Sequence, residues 1–274
     1  MKLISLNDLS LKTEGYFAFK HVAFSLSQKE IIGINGDNGS GKTLLLEAIS
    51  DRITPDSGEL MYTPGVRIGY LPQENPQQID QSVKKYLEET RRLSKKLAVR
   101  TDQLQGMITF LGLTPYLDRP VSQLSIGLRR RIDFLATLAG HPNVLLLDEP
   151  FVFQTKQTIS QMLKLLQDLK DNGSGIIIAA TNFDDSVQQY LDNGYLIKDN
   201  ALQQIPYFQQ KEQCRLLFRI NPNSSAITKD LEKYVTENIN DMVELTIPLA
   251  LKGSLITKME RLNYHFEGVE SSEN

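Results

Sequence analysis

Residues 36–43 form a glycine-rich loop with the pattern G-x-x-x-x-G-K-[ST], which constrains the fold more than any other feature of the chain. Glycines let successive backbone N–H groups curl around phosphate oxygens, and the N-terminus of a following helix adds positive potential there. A short apolar strand is predicted at 30–35, before the loop, and a helix at 42–51, after it. The pattern therefore predicts an α/β fold with a phosphate site built from Gly36, Asp37, Asn38, Gly39, Ser40, Gly41, Lys42 and Thr43.

Residues 144–149 supply a second chemical element, four apolar residues followed by Asp148 and Glu149. A continuous apolar run is typical of a strand buried in a parallel sheet, and ligands bind at the carboxyl ends of such strands. Considered alone, this run is equally consistent with an ordinary strand end and with a site for Mg²⁺ and a general base. Beside a phosphate loop it predicts that Thr43 and Asp148 hold Mg²⁺ while Lys42 reaches the β- and γ-phosphates, with Glu149 as the general base.

Taken together, residues 3–202 resemble the ATP-binding cassette superfamily. Leu71-Pro72-Gln73-Glu74 resembles the Q-loop of that family, and the resemblance implies that Gln73 senses Mg²⁺ and the γ-phosphate. Residues 124–128, Leu-Ser-Ile-Gly-Leu, resemble the signature motif, usually L-S-G-G-Q. The resemblance implies that Ser125 and Gly127 contact ATP held by a second cassette, in a homodimer or a heterodimer.

Several positions depart from the pattern of the family. Ile126 replaces a glycine, and a β-branched residue is expected to restrict the backbone and to crowd a loop that approaches phosphate. Leu128 replaces a glutamine, and the loop that ends at Thr155 lacks the usual aspartate. Asn182 occupies the place of the switch histidine. Asn182 can donate a hydrogen bond to a phosphate but carries no proton charge, so it is interpreted as a γ-phosphate neighbour, with a plain structural role left open.

Two further features leave alternatives open. An aromatic residue upstream of the loop often stacks on adenine in the family, and Tyr16 or Phe17 is a candidate for this contact or for core packing. The run of three arginines at 129–131 serves either a partner or the nucleotide, or it is a solvated helix face.

The predicted fold is a P-loop NTPase cassette with a mostly parallel sheet core, an antiparallel β subdomain and a helical subdomain near 80–123. The cassette covers 1–204, and a change in composition marks a boundary near 205–213. A small α+β appendage of βαβαβ order is predicted for 205–274, with helices at 226–238 and 249–262. Other predicted strands are 3–11, 22–26, 65–70, 176–180 and 195–198, the last near an edge, and other predicted helical segments are 80–113 and 159–169.

The amino-acid composition narrows the classes of partner that the chain is expected to bind. The net charge of −3 argues against a direct nucleic-acid partner, which favours clustered excess lysine and arginine. Cys214 is the single cysteine, which fits a reducing compartment. The chain has no apolar run near the ~20 residues that span a bilayer. We therefore expect any function at a membrane to require a separate permease subunit. The expected location is cytoplasmic, at the face of the membrane.

Three functions fit these features. The first is the ATP-binding subunit of a transporter, with an export type as one alternative because the appendage resembles those of export subunits. The second is a ribosome-associated cassette factor, because residues 58–74 resemble such proteins. The third is a regulatory cassette that does not hydrolyse ATP.

Overall fold

The computed structural model describes residues 1–75, 79–94, 98–205, 213–232, 234–239, 241–248 and 252–271. The chain divides into two compact units, Met1–Ile205 and Pro206–Asn274. Most of the segment predicted as a boundary, 205–213, lies outside the described residues. So do 95–97, within the predicted helical segment 80–113, and residues 249–251, at the start of the predicted helix 249–262.

The first unit is built on a nine-stranded sheet in its described part. The strands are β1 (Lys2–Thr13), β2 (Tyr16–Ser27), β3 (Glu30–Asn35), β4 (Ser57–Tyr62), β5 (Ile68–Leu71), β6 (Val144–Asp148), β7 (Gly175–Ala180), β8 (Asn193–Lys198) and β9 (Ala201–Gln204). Their order across the sheet is β4-β1-β2-β9-β8-β3-β7-β6-β5.

The strands β8, β3, β7, β6 and β5 run parallel, whereas β1 pairs antiparallel with β2 and β4. Both β6 and β7 are buried along their whole length because continuous apolar runs suit strands covered on both faces. The predicted parallel core with an antiparallel part is thus confirmed. The predicted edge position of 195–198 is wrong, because β9 forms a hairpin with β8 and separates it from β2.

The described helices of this unit are α1 (Lys42–Ile49), α2 (Val83–Leu93), α3 (Thr101–Phe110), α4 (Ile126–Ala139), α5 (Lys156–Asp171) and α6 (Asp185–Gln188). Helix α2 begins after Ser82, whose side chain accepts a hydrogen bond from the N–H of Lys85. The segment predicted as helical at 80–113 contains α2 and α3. Strand β4 follows α1 in the chain and pairs with β1 at the edge of the sheet.

The second unit contains β10 (Gln213–Ile220), α7 (Lys229–Glu232), β11 (Val235–Ile239), β12 (Met242–Pro248), α8 (Lys252–Arg261) and β13 (Tyr264–Ser271). Its four-stranded antiparallel sheet has the order β11-β12-β10-β13, with a core that includes Leu216, Phe218 and Leu245. The predicted βαβαβ order is therefore wrong, since the observed order is βαββαβ, a split βαβ arrangement. The helix predicted at 226–238 is wrong beyond α7, because β11 pairs with β12 instead.

Candidate nucleotide-binding site

The glycine-rich loop connects the end of β3 to the start of α1, at the carboxyl edge of the parallel strands. Gly39 and Gly41 have positive φ angles of 82° and 100°, which side chains rarely adopt. A Cβ atom on Gly41 would lie 2.6 Å from the carbonyl oxygen of Ala18. Glycine at these positions therefore lets the loop turn tightly beneath β2, with its backbone N–H groups free of side-chain cover.

Lys42 begins α1 and is almost fully buried. Its Nζ donates to the carbonyl oxygens of Gly36, at 2.5 Å, and Asp37, at 3.0 Å. Burial lowers the pKa of Lys42, an effect that the nearby carboxylates of Glu149, Asp148 and Asp37 oppose. An ammonium group has three donors, so these two contacts hold Nζ within the loop and leave one donor for a phosphate oxygen.

Thr43 and Asp148, separated by 105 positions in the chain, meet at the end of β6. The hydroxyl of Thr43 donates to Oδ2 of Asp148 over 2.6 Å. Asp148 is fully buried, and its Oδ1 has no hydrogen-bond partner. An unpaired, buried carboxylate oxygen beside a hydroxyl suits a hard cation such as Mg²⁺, which takes oxygen ligands. Burial raises the pKa of Asp148, opposed by Thr43, Arg130 and Lys42.

Glu149 follows β6 with a positive φ of 48°. Its N–H donates to the carbonyl oxygen of Ala179 over 2.8 Å, and its carboxylate accepts from the N–H of Thr181. Burial raises the pKa of Glu149, while Lys42 lowers it. A positioned carboxylate with a raised pKa is suited to accept a proton.

Gln73 follows β5, and its side chain is exposed. It lines a cavity of about 540 Å³ together with Glu149 and Ile126. The loop after β5, the end of β6 and the start of α4 thus border one space. The structure brings Gln73 and Glu149, which are far apart in sequence, to the same cavity.

Ser125 lies immediately before α4 and accepts a hydrogen bond from the N–H of Leu128 over 3.4 Å. A Cβ atom on Gly127 would lie 2.6 Å from the carbonyl oxygen of Phe153, so glycine is required for this approach. Ile126 is the first residue of α4 and is 52% exposed. Ile126 has no positive φ, so its backbone conformation does not itself require glycine, and the expected crowding of phosphate by its side chain stays a prediction.

Comparison with known proteins agrees with this geometry. A model of the ABC transporter family matches residues 19–152, which include the glycine-rich loop, Gln73, Ser125 and Glu149. Over this matched part, the chain is similar to the ATP-binding cassettes of ABC transporters.

Relatives and solved structures extend the match. The chain is 31% identical over 169 residues to the zinc import ATP-binding protein ZnuC of Hydrogenovibrio crunogenus, covering 58% of this chain and 65% of that protein. It is 35% identical over 149 residues to ZnuC of a Jannaschia strain, where the match covers 54% of this chain and 60% of that protein. The chain thus spans less than two thirds of these relatives. The fold is similar to a solved ATP-binding subunit of an ABC transporter, with a TM-score of 0.67, 17% identity, and coverage of 76% and 92% of the two chains.

Thr155 and Asn182 are two of the positions that depart from the cassette pattern. Thr155 caps α5 by accepting a hydrogen bond from the N–H of Thr158 over 3.2 Å. Asn182 follows β7, next to Thr181, and its side chain is exposed. Its role as a γ-phosphate neighbour stays a prediction.

The two candidates for adenine stacking lie at the start of β2. Tyr16 is 81% exposed. Phe17 is 40% exposed, and Nζ of Lys12 lies 4.7 Å from the centre of its ring. Ala18, the residue after Phe17, lies against Gly41 of the glycine-rich loop, so both rings belong to the strand end beside that loop. The choice between them stays open.

Arg130 is a functional candidate that sequence reasoning missed. The arginine run is not a uniform solvated face, because Arg129 is exposed whereas Arg130 is buried. The guanidinium of Arg130 donates to the carbonyl oxygens of Pro72 and Asp148. Arg130 precedes Phe134 and Leu138, both buried, by four and eight positions, so helical spacing placed it on the buried face of α4.

Proposed function

We propose that this chain is the ATP-binding subunit of an ABC transporter, which binds and hydrolyses Mg-ATP and thereby drives a separate membrane permease. The observation that carries the proposal is the contact between Thr43 and Asp148. It joins the glycine-rich loop to the end of β6. Lys42 and Glu149 lie beside this pair. They are close enough to each other that Glu149 raises the pKa of Lys42 and Lys42 lowers the pKa of Glu149.

Binding rests on the loop. Its N–H groups and the remaining donor of Lys42 would hold the β- and γ-phosphates. Thr43 and Asp148 would hold Mg²⁺, with Gln73 as a third ligand by its likeness to the family. When bound, Mg²⁺ neutralises negative charge on the phosphates.

Hydrolysis would then need a base and an aligned water molecule. The carboxylate of Glu149 accepts a proton from that water molecule while the oxygen of the water forms a bond to the γ-phosphorus. The bond from this phosphorus to the β–γ bridging oxygen breaks, so ADP and inorganic phosphate leave. Asn182 would donate a hydrogen bond to the γ-phosphate, which stabilises charge without carrying a proton.

A second cassette completes the site in this proposal. Ser125 and Gly127 lie at the N-terminus of α4, where helix N–H groups favour an anion. They would contact ATP bound to the second cassette, and the equivalent residues of that cassette would contact ATP here. Closure is driven by ATP only because ATP binds the closed dimer more tightly than the open one.

The permease is the second partner of the proposal. Within the described residues, no helix combines the length and the apolar composition needed to cross a bilayer. The subunit would work at the cytoplasmic face, where ATP is available. The names of the zinc import relatives favour uptake. Export stays a prediction that rests on the appendage alone.

The test measures ATP affinity and ATPase activity of the purified chain, followed by co-purification from its native cells. The proposal expects ATP binding that depends on Lys42, and a permease that co-purifies in detergent. Absence of ATP binding would overturn it. Migration of the chain with ribosomes in a sucrose gradient, without a permease, would favour the cassette factor instead, and ATP binding with no hydrolysis in any complex would favour a regulatory cassette.

A further inference from the structure

Arg130 joins three parts of the nucleotide site. It lies in α4, one helical turn after Ser125 and Gly127. Its guanidinium donates to the carbonyl oxygen of Pro72, the residue immediately before Gln73. It also donates to the carbonyl oxygen of Asp148, the residue immediately before Glu149. One side chain therefore holds the backbone beside both Gln73 and Glu149.

The burial of the Arg130 guanidinium is energetically costly. The residue is 7% exposed, and its Nε has no hydrogen-bond partner. Its two described hydrogen-bond acceptors, the carbonyls of Pro72 and Asp148, are neutral, although the carboxylates of Asp133, Asp148 and Glu149 are close enough to favour its charge. Removing a guanidinium from water costs several kcal/mol in general, which an apolar side chain at this helix position would avoid.

A second set of contacts ties the same helix to the segment after Glu149. Nε2 of Gln154 donates to the carbonyl oxygen of Gly127 over 2.9 Å, and Nε of Arg131 donates to Oε1 of Gln154 over 3.4 Å. The start of α4 is thus fastened to both flanks of Glu149. Because a helix rises about 1.5 Å per residue, Ser125 and Arg130 are about 7.5 Å apart along α4 and move together.

We propose that Arg130 is a positioning residue for ATP hydrolysis, which holds Gln73 and Glu149 in register with each other and with the signature residues of α4. The proposal rests on the proposed function. Arg130 does not itself contact ATP, because both ends of its guanidinium are occupied by backbone carbonyls. Arg130 supports a high kcat by fixing the positions of Gln73 and Glu149, and it does not contribute to the phosphate-binding loop.

The experiment compares Arg130→Met, which removes charge and donors, with Arg130→Lys, which keeps the charge but cannot donate from two nitrogens. Arg92→Met, at an exposed position of α2, is the matched control. For Arg130→Met we expect kcat to fall about 100-fold, since a displacement of about 1 Å has an effect of this size. The Kd for ATP and the KM should stay near the wild-type values. The kcat of Arg130→Lys should lie between those of the wild type and Arg130→Met, and Arg92→Met should match the wild type.

Wild-type kcat in Arg130→Met would overturn the inference, and so would a Kd for ATP that rises as much as kcat falls. If Arg130→Met does not fold, as judged by thermal unfolding, Arg130→Lys decides. A lowered kcat with unchanged Kd supports the inference, and an unchanged kcat overturns it. A wild-type chain that neither binds nor hydrolyses ATP, alone or with its partners, would instead refute the proposed function.

Discussion

Replacing Lys42 with alanine is expected to weaken ATP binding strongly while the fold persists. Nζ of Lys42 contacts the carbonyls of Gly36 and Asp37 and has one further donor for phosphate. Alanine removes the positive charge from the centre of the loop. The remaining N–H groups of the loop carry only partial charges, so they cannot offset the phosphate charge in the same way.

The size of the loss follows from the burial of this group. Lys42 is 6% exposed, so solvent and salt screen its charge poorly. A hydrogen bond to a charged group contributes about 1.5–3 kcal/mol. Each 1.4 kcal/mol is about tenfold in Kd, so affinity should fall by about 10- to 150-fold.

The assay is a titration of the purified variant with a fluorescent ATP analogue in the presence of Mg²⁺. Lys164→Ala, at an exposed position of α5, is the control and should bind like the wild type. Thermal unfolding without nucleotide checks that the Lys42→Ala variant is folded. If that folded variant binds ATP as tightly as the wild type, the assignment of the phosphate site is refuted.

Three further predictions concern catalysis and stability. Glu149→Gln should bind ATP normally, lose turnover because an amide cannot accept the proton, and accumulate as an ATP-bound dimer on size-exclusion chromatography; turnover at the wild-type rate would exclude Glu149 as the base. Gly41→Ala should lower the free energy of unfolding by about 1–3 kcal/mol, because the φ of 100° at this position suits glycine. Urea denaturation measures this change, and the control Gly106→Ala in α3 should be neutral or stabilising. The purified chain alone should hydrolyse ATP more slowly than about 1 s⁻¹, and a faster wild-type rate would contradict this. A rate restored by Asn182→His would locate the defect at the switch position, whereas a rate restored by Ile126→Gly would locate it at the signature loop.

Local patterns sufficed for the parallel core of the cassette. The strand predicted at 30–35 coincides with β3, and those predicted at 144–147 and 176–180 fall within β6 and β7. Such runs are recognisable because a strand buried on both faces needs apolar residues at every position, whatever its neighbours are. The glycine-rich loop was equally local, since its eight positions are contiguous and each residue type has a separate steric or charge requirement.

The appendage shows where local reasoning failed. Residues 235–238 were expected to continue a helix, yet they lie in β11. Strand formation here depends on pairing with β12, and Val235 and Thr236 are β-branched residues that suit such pairing. The register of two strands is decided by contacts between them, so the helical pattern within one segment did not predict it.

The sequence by itself determined which residues are candidates for phosphate chemistry, namely the loop that ends in Lys42 and Thr43 and the acidic pair Asp148 and Glu149. Only the tertiary structure decided how they are held. It brought Thr43 to within 2.6 Å of Asp148 and buried Arg130 between two loops. The physical reason is that a residue's type is printed in the chain, whereas burial and hydrogen bonding depend on residues far away in sequence, which meet only when the sheet and α4 are packed.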